Sequence, residues 1–467
     1  CIVIFWTACT HTPTCMATAF LPSANNNNDK NNKNPSLAGW SCHHRLLLVQ
    51  SRNRDHDDNE KRTSSSTRRP TPSSLLSTSS SSSSSLPIRE EIRYIAGRRA
   101  LLLHPPPTPS SSSATTNNNN PPLVILGGMA QSIANWEYHL PHLSKHRSVL
   151  IYETLGQGPP PPSEVCSVDG KEVTLQQYYG NVSLERQGLD FWNVVKEAFF
   201  SPGCYYYEQQ QQNQNGNDEE GIDNNNDNNN EIAMVVDVAS FSFGARVAMA
   251  AASIEPNGIR RLHLTGVGAE RDNFANVILA SWKDMLGCSN SIDDDDDDDD
   301  EECDPTNHAN KCTARLRSFA WSVILVTYSE EFLASAGSER VSTWVDGVCR
   351  YNTEEGLRAI LMQTHGNDDG RGRGGKEEED PWSPAAMARR IRSSGAVERC
   401  RIVVGSRDKM SHPTQAMRLA KMLGSDDDDV TFEAGRCVLK VMEGCGHAVP
   451  MEAMRLWRGD VLEFLDE

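Results

Sequence analysis

The sequence predicts an α/β protein built on a mostly parallel sheet. Two observations carry this. Short apolar runs rich in β-branched residues recur from Glu90 to Met442, separated by amphipathic helical patterns. That alternation folds into a sheet covered by helices. The second is local: the run Ile232–Val238 (IAMVVDV) leads through Ala239 into Ser240-Phe241-Ser242-Phe243-Gly244, and then into an alanine-rich helical stretch.

Taken in order, Glu90–Ile95 and Ala100–Leu103 read as a hairpin turning at Gly97. Leu123–Leu126, ended by two glycines, and Val149–Tyr152 are the next strands. Ile232–Val238 is mostly β-branched and apolar, as a strand buried on both faces should be. Leu262–Thr265, Arg401–Val404 and Val438–Met442 complete the sheet. Helical spacing falls at Trp136–Leu143, Leu184–Phe199, Phe243–Ser253, Thr414–Leu423 and Met451–Leu465. The stretch from Gly266 to Val397 is too long for one crossover. Helical patterns at Asn273–Leu286, Ala314–Ala334, Arg340–Cys349 and Thr353–Gln363 predict a helical cap inserted at about 269–397.

The rest of the chain cannot supply a core. Residues 1–87 are mostly Ser, Thr, Asn, Arg and Pro, with a seven-serine run at Ser79–Ser85, and read as a disordered or targeting segment. Residues 88–467 read as one large domain interrupted by low-complexity loops at about 104–120, 206–230, 288–312 and 366–380. The net charge of −18 is local. Runs at Asp293–Glu302, Glu377–Asp380 and Asp426–Asp429 contain as many acids as the whole excess, which marks solvated, self-repelling loops. The first run lacks the glycine turn and mixed spacing of an EF-hand. With no basic stripe in the folded part, nucleic-acid binding is not expected. The 13 cysteines form no C-x₂-C pair, so zinc and iron–sulfur spacing are absent. No apolar stretch reaches the 18 or so residues of a membrane span.

The start of the chain carries its own expectation. Cys1–Cys9 is apolar enough to be the tail of a signal-peptide core. Ala17-Thr18-Ala19-Phe20-Leu21-Pro22 resembles the Ala-Ser-Ala-Phe-Ala-Pro junction of two-part plastid targeting sequences in algae with secondary plastids. The resemblance implies a plastid destination. The other reading starts the protein at Met16 and leaves it cytoplasmic.

Strand, tight turn and helix around Ser242 resemble the nucleophile elbow of the α/β-hydrolase superfamily. Ser240 stands where the G-x-S-x-G pattern has its first glycine. Arg401–Val404 leads into Gly405-Ser406-Arg407-Asp408, which resembles the superfamily's acid turn. Val438–Met442 leads into Gly444-Cys445-Gly446-His447, which resembles its histidine loop. Glu270 is an alternative acid, and Asp426–Asp429 a poorer one because a solvated run fixes no geometry. His139, His142 and His146 read as surface residues. Gly127-Gly128-Met129-Ala130-Gln131 resembles the oxyanion loop, with Gly127 in place of the usual histidine. Tyr152-Glu153-Thr154-Leu155-Gly156-Gln157-Gly158 is similar to a superfamily turn that normally carries aspartate at the Glu153 position. It lacks a third glycine, and the prolines 159–162 block a helix, so it is not a dinucleotide fingerprint.

The resemblance implies an α/β-hydrolase fold with Ser242 as nucleophile, His447 as base and Asp408 as its orienting acid. Backbone N–H groups of Met129 and Phe243 would form the oxyanion hole. The implied activity is hydrolysis of a carboxylic ester, on a small-molecule or lipid-like acyl substrate, without metal or organic cofactor. Four alternatives remain: a carbon–carbon bond hydrolase or an enzyme like the menaquinone and phylloquinone pathway synthase, a thioesterase, an amidase, and an inactive fold serving as a binding module. Phe241, Phe243, Met129 and Trp136 suit either an apolar acyl pocket or plain core packing.

Overall fold

The computed structural model describes residues 90–105, 120–159, 167–168, 171–172, 178–180, 182–215, 234–288, 305–363, 380–424 and 436–467. Residues 1–87, read as a disordered or targeting segment, and most of the low-complexity tracts lie outside these residues.

Eight strands form the central sheet: β1 (Glu90–Ile95), β2 (Arg98–Leu103), β3 (Leu123–Leu126), β4 (Val149–Tyr152), β5 (Val236–Phe241), β6 (Ile259–Thr265), β7 (Arg399–Gly405) and β8 (Cys437–Met442). Their spatial order is β1-β2-β4-β3-β5-β6-β7-β8. The pairs β1·β2 and β2·β4 are antiparallel, and the others are parallel. The hairpin turns through Ala96 and Gly97, both at positive φ, where glycine costs least. β5 lies in mid-sheet, flanked by β3 and β6, so its carboxyl end is surrounded by neighbouring strand ends.

The strands alternate between two cores. Val124 and Leu126 of β3 face the helices Leu184–Val195, Phe243–Ile254, Pro384–Ser394 and Pro413–Leu423. Leu123 and Ile125 face Trp136, Leu143 and the C-terminal helix Met454–Asp466. Burial on both faces accounts for the near-continuous apolar runs.

Between β6 and β7 lie the helices Asn273–Met285, Pro305–Thr327, Glu330–Ala336, Ser338–Tyr351 and Glu354–Gln363. They pack on one another through Trp282, Leu286, Phe319, Val323, Leu357 and Leu361. The next helix, Pro384–Ser394, instead buries Met387, Ala388 and Ile391 against the sheet.

Several elements differ from the sequence reading. β5 is displaced toward Phe241, because Ala239 and Ser240 are small enough to continue a fully buried strand. Tyr205–Asn215, in a tract read as a loop, is helical and packs Tyr206 against Phe199 and Phe200. Trp136–Leu143 is not one helix: a 3₁₀ turn, Ile133–Trp136, precedes a single α turn at Leu140–Leu143.

Candidate active site

Ser242 sits directly after β5 and caps the helix Phe243–Ile254. Its φ of 55° and ψ of −115° lie outside the ordinary regions for an L-residue. Such a conformation costs about 1–3 kcal/mol and persists only when its surroundings enforce it. Two neighbours enforce it here. A Cβ on Gly244 would meet Gly127 O at 2.5 Å and Leu126 O at 2.6 Å, so the helix starts in contact with the chain after β3. On the other side Ser242 N–H donates to Thr265 O at 2.8 Å. Ser240, in the place of a glycine, is fully buried and donates its hydroxyl to His263 O at 3.0 Å. The extra side chain is accommodated because its polar end is satisfied on β6.

The structure brings the three residues named for the triad together. His447 Nε2 is 2.7 Å from Ser242 Oγ, and His447 Nδ1 is 2.8 Å from Asp408 Oδ2. The other carboxylate oxygen of Asp408 accepts the backbone N–H of Met410 at 2.8 Å and of Ser411 at 2.7 Å. Asp408 and His447 are both buried. Phe241 packs on the imidazole, with ring centroids 5.2 Å apart, and Gly266 leaves room beside it: a Cβ there would meet His447 Cε1 at 3.0 Å.

The loop after β3 folds on itself. Gly128 N–H donates to Gln131 Oε1 at 2.8 Å, and Gln131 N–H donates to Gly128 O at 3.2 Å. A Cβ on Gly128 would come within 3.2 Å of the Ser242 Cβ, so this loop and Ser242 are in contact. Met129 N–H and Phe243 N–H have no hydrogen-bond partner among the described residues. Ala130 follows at φ 64°, with its carbonyl accepting Asn352 Nδ2–H at 3.2 Å from the inserted helices.

Ser242 and His447 open into a cavity of about 330 Å³. Its sheet side includes Met129, Phe241 and Phe243, and its inserted side includes Trp282, Tyr328 and Trp344. Tyr328, Phe332 and Trp344 form a parallel stack with centroids 5.2–5.9 Å apart. Arg246, four residues past Ser242 on the elbow helix, also lines it. Burial pulls its guanidinium pKa down to about 10, with Asp380 the acid whose charge opposes this. The Arg246 guanidinium makes no hydrogen bond or ion pair among the described residues, while its backbone N–H donates to Ser242 O at 3.4 Å. Sequence reasoning passed over it because an arginine in a helix reads as a solvated residue.

Other candidates lie elsewhere. Glu270 is exposed and pairs with Arg418 at 2.8 Å. Trp136 is a core residue, fully buried between the loop after β3 and Trp457. His139 is fully buried rather than solvated: Nε2–H donates to Pro450 O at 3.1 Å, and burial pulls its pKa down to about 4. Glu153 is held by Arg99 at 2.8 Å and accepts Ile133 N–H, so it supports the loop after β3. Among the described residues no group of three His, Cys, Asp or Glu side chains is arranged to hold a metal ion. No helix among them is long and apolar enough to cross a membrane.

The strand order and the turn at Ser242 define the fold: the chain has the α/β-hydrolase fold, with a helical insertion after β6. No protein-family model and no curated protein matches the sequence. Solved structures similar to it include the enol-lactonase from Burkholderia xenovorans, 13% identical, with a TM-score of 0.46 over 81% of this chain and 100% of that one. Another is a 2-hydroxy-6-oxo-6-phenylhexa-2,4-dienoate hydrolase from Rhodococcus, 13% identical, TM-score 0.46, covering 82% and 99%. A third is a thermophilic esterase from Thermogutta terrifontis, 11% identical, TM-score 0.47, covering 81% and 98%.

Proposed function

We propose that this chain is a serine hydrolase that cleaves a carboxylic ester through an acyl-enzyme. The observation that carries the reading is the unbroken line of hydrogen-bond distances from Asp408 through His447 to Ser242. His447 Nε2 takes the Ser242 proton as Oγ attacks the carbonyl carbon. Asp408 holds the Nδ1–H tautomer and stabilises the imidazolium. The developing oxyanion accepts from Met129 N–H and Phe243 N–H, donors of a kind worth about 10²–10³ in rate each. The imidazolium then protonates the leaving alcohol. In the second half His447 activates water, which releases the acid and returns the proton to Ser242.

Arg246 bears on the substrate. A guanidinium withdrawn from water without a partner is costly, and an anion delivered by a ligand relieves that cost. This favours an acyl group that carries a carboxylate. The same charge supports a second reading, in which the same three residues act on a carbon–carbon bond of a carboxylate-bearing compound.

The test is labelling of the full chain with a fluorophosphonate probe, beside Ser242→Ala. Covalent labelling lost in the variant is expected. A folded protein that neither labels nor turns over short p-nitrophenyl esters would overturn the hydrolase reading in favour of a binding module. For the substrate class, p-nitrophenyl hemisuccinate is compared with p-nitrophenyl butyrate. Wild type is expected to favour the charged ester, and Arg246→Met to lose that preference; equal preference in both proteins would remove the carboxylate from the proposal. Plastid location, proposed from the targeting resemblance, is tested with a fluorescent fusion of residues 1–90. A cytosolic signal would overturn it.

A further inference from the structure

The loop that carries His447 is held from two sides. On the sheet side, Arg407 N–H donates to Cys445 O at 2.9 Å, and Ser406 Oγ accepts Gly444 N–H at 2.9 Å. These bonds tie it to the turn of Asp408. On the other side stands the corner between the inserted helices Pro305–Thr327 and Glu330–Ala336. Thr327 O accepts Ala448 N–H at 2.9 Å. A Cβ on Gly446 would lie 2.7 Å from Ser329 N and 2.8 Å from Thr327 O, so loop and corner meet backbone to backbone.

One side chain bridges that contact. Glu452, in the helical turn after His447, accepts Gly446 N–H at 2.9 Å and Ser329 N–H at 3.2 Å on Oε1. Its Oε2 accepts the Ser329 hydroxyl at 2.5 Å. Burial pushes the carboxyl pKa up, and the bonds from Ser329 and Gly446 oppose this. Glu452 does not line the cavity, so it has no access to substrate.

We propose that Glu452 is a positioning residue: by bonding Gly446 and Ser329 together, it makes the seating of the inserted helices and the alignment of His447 a single event. The inference rests on the serine-hydrolase reading. If the corner lifts, Ala448 N–H loses Thr327 O and Glu452 loses both Ser329 donors, so the loop that sets His447 against Ser242 is held from the sheet side alone. A displacement of about 1 Å is enough to cost about 10²-fold in rate. Turnover is thereby confined to molecules whose insertion is docked over the sheet.

The experiment uses the full chain, with kcat and KM on a p-nitrophenyl ester and the rate of fluorophosphonate labelling as readouts. Glu452→Ala is expected to lower kcat and the labelling rate by about 10–100-fold while KM moves less than about threefold. Glu452→Gln keeps an oxygen for the two N–H groups and an amide that the Ser329 hydroxyl can accept. It is expected to recover the rate to within about threefold. Ser329→Ala, which removes one of the three bonds, falls between them. Wild-type kcat in Glu452→Ala, or a Gln variant as slow as the Ala variant, would overturn the proposal. If Glu452→Ala does not fold, a folded Ser329→Ala with unchanged kcat and labelling rate overturns it instead. Ser242→Ala separates the two levels. Activity surviving there, or a folded wild type that neither labels nor turns over the ester, removes the hydrolase reading and this inference with it. A dead Ser242→Ala beside a fully active Glu452→Ala removes this inference alone.

Discussion

Two buried histidine–aspartate pairs lie in this molecule and do different things. His447 meets Asp408 at 2.8 Å, and His263 meets Asp460 at 2.9 Å. Neither distance nor burial separates them. The far nitrogen does: Nε2 of His447 faces a serine hydroxyl and a cavity, whereas Nδ1 of His263 has no partner among the described residues. The surroundings of His263 are the ring edges of Trp457 and Phe464. Arg401 and Lys440 converge on Asp460 at 2.9 and 2.7 Å. On the proposed reading the first pair moves a proton between Ser242 and the leaving group. The second cross-links β6, β7 and β8 to the C-terminal helix. A histidine–aspartate dyad is therefore a chemical device only where its free nitrogen reaches a nucleophile.

The sharpest way to break the comparison is to remove each histidine. His447→Ala is expected to lower turnover by at least about 10³-fold with the fold intact. His263→Ala is expected to leave fluorophosphonate labelling per folded molecule unchanged. Labelling abolished in folded His263→Ala would merge the two pairs into one functional unit.

The next effect is on stability. Asp460→Asn leaves Arg401 and Lys440 without their buried acid, and urea unfolding is expected to show a loss of about 3–5 kcal/mol. A loss below about 1 kcal/mol would demote the network to a surface ion pair.

Acid sharpens the comparison further, because two groups respond in separate windows. His139 titrates near 4 in the folded state, below its ordinary value of 6.5, so the unfolded chain takes up the proton first. Stability is expected to fall as pH drops from 6.5 to 4, by about 3 kcal/mol at most. Asp460 is held down at about 2, against an ordinary 3.8, by His263, Lys440 and Arg401, although burial alone acts to raise it. Its contribution, about 2 kcal/mol, is present above 3.8 and lost as pH falls toward 2. Melting curves of wild type and His139→Gln check this: the variant is expected to flatten the upper window only.

The smallest effect is at Ser242 itself. Ser242→Gly relieves the positive φ but adds freedom to the unfolded chain, for a net gain of about 1 kcal/mol. Unchanged or lower stability in urea would mean that the turn stores no strain.

Much of the sheet is legible in the sequence because its strands are buried on both faces and leave unmistakable apolar runs. Residues 236–241 show the limit: Ala239 and Ser240 weaken the run where the strand still continues. The helix Pro384–Ser394 stayed hidden because its arginines dilute the apolar stripe of Met387, Ala388 and Ile391. At the site, the positions of Ser242, Asp408 and His447 could be read because each follows a strand in a tight turn of small residues. Tyr328, Trp344 and Ser329 could not be read. They come from inserted helices whose sequence follows only the demands of packing, and their relation to His447 exists in three dimensions alone. His139 misled for a related reason: the preceding Tyr138 is exposed, but Pro450 and Trp457 cover His139 from the far end of the chain.

The crowding at Gly244 has a consequence for how this sequence can drift. Even a methyl group there pushes on the carbonyls of Leu126 and Gly127, so the change would displace Ser242 and the loop that carries Met129 together. Residues elsewhere in the elbow can be exchanged if a neighbour adjusts, as Ser240 shows by lodging its hydroxyl on β6. At Gly244 the obstacle is main chain, which no single compensating substitution can trim. Lineages that keep the activity are expected to keep this glycine, and its loss in a descendant would mark the point at which the activity was given up.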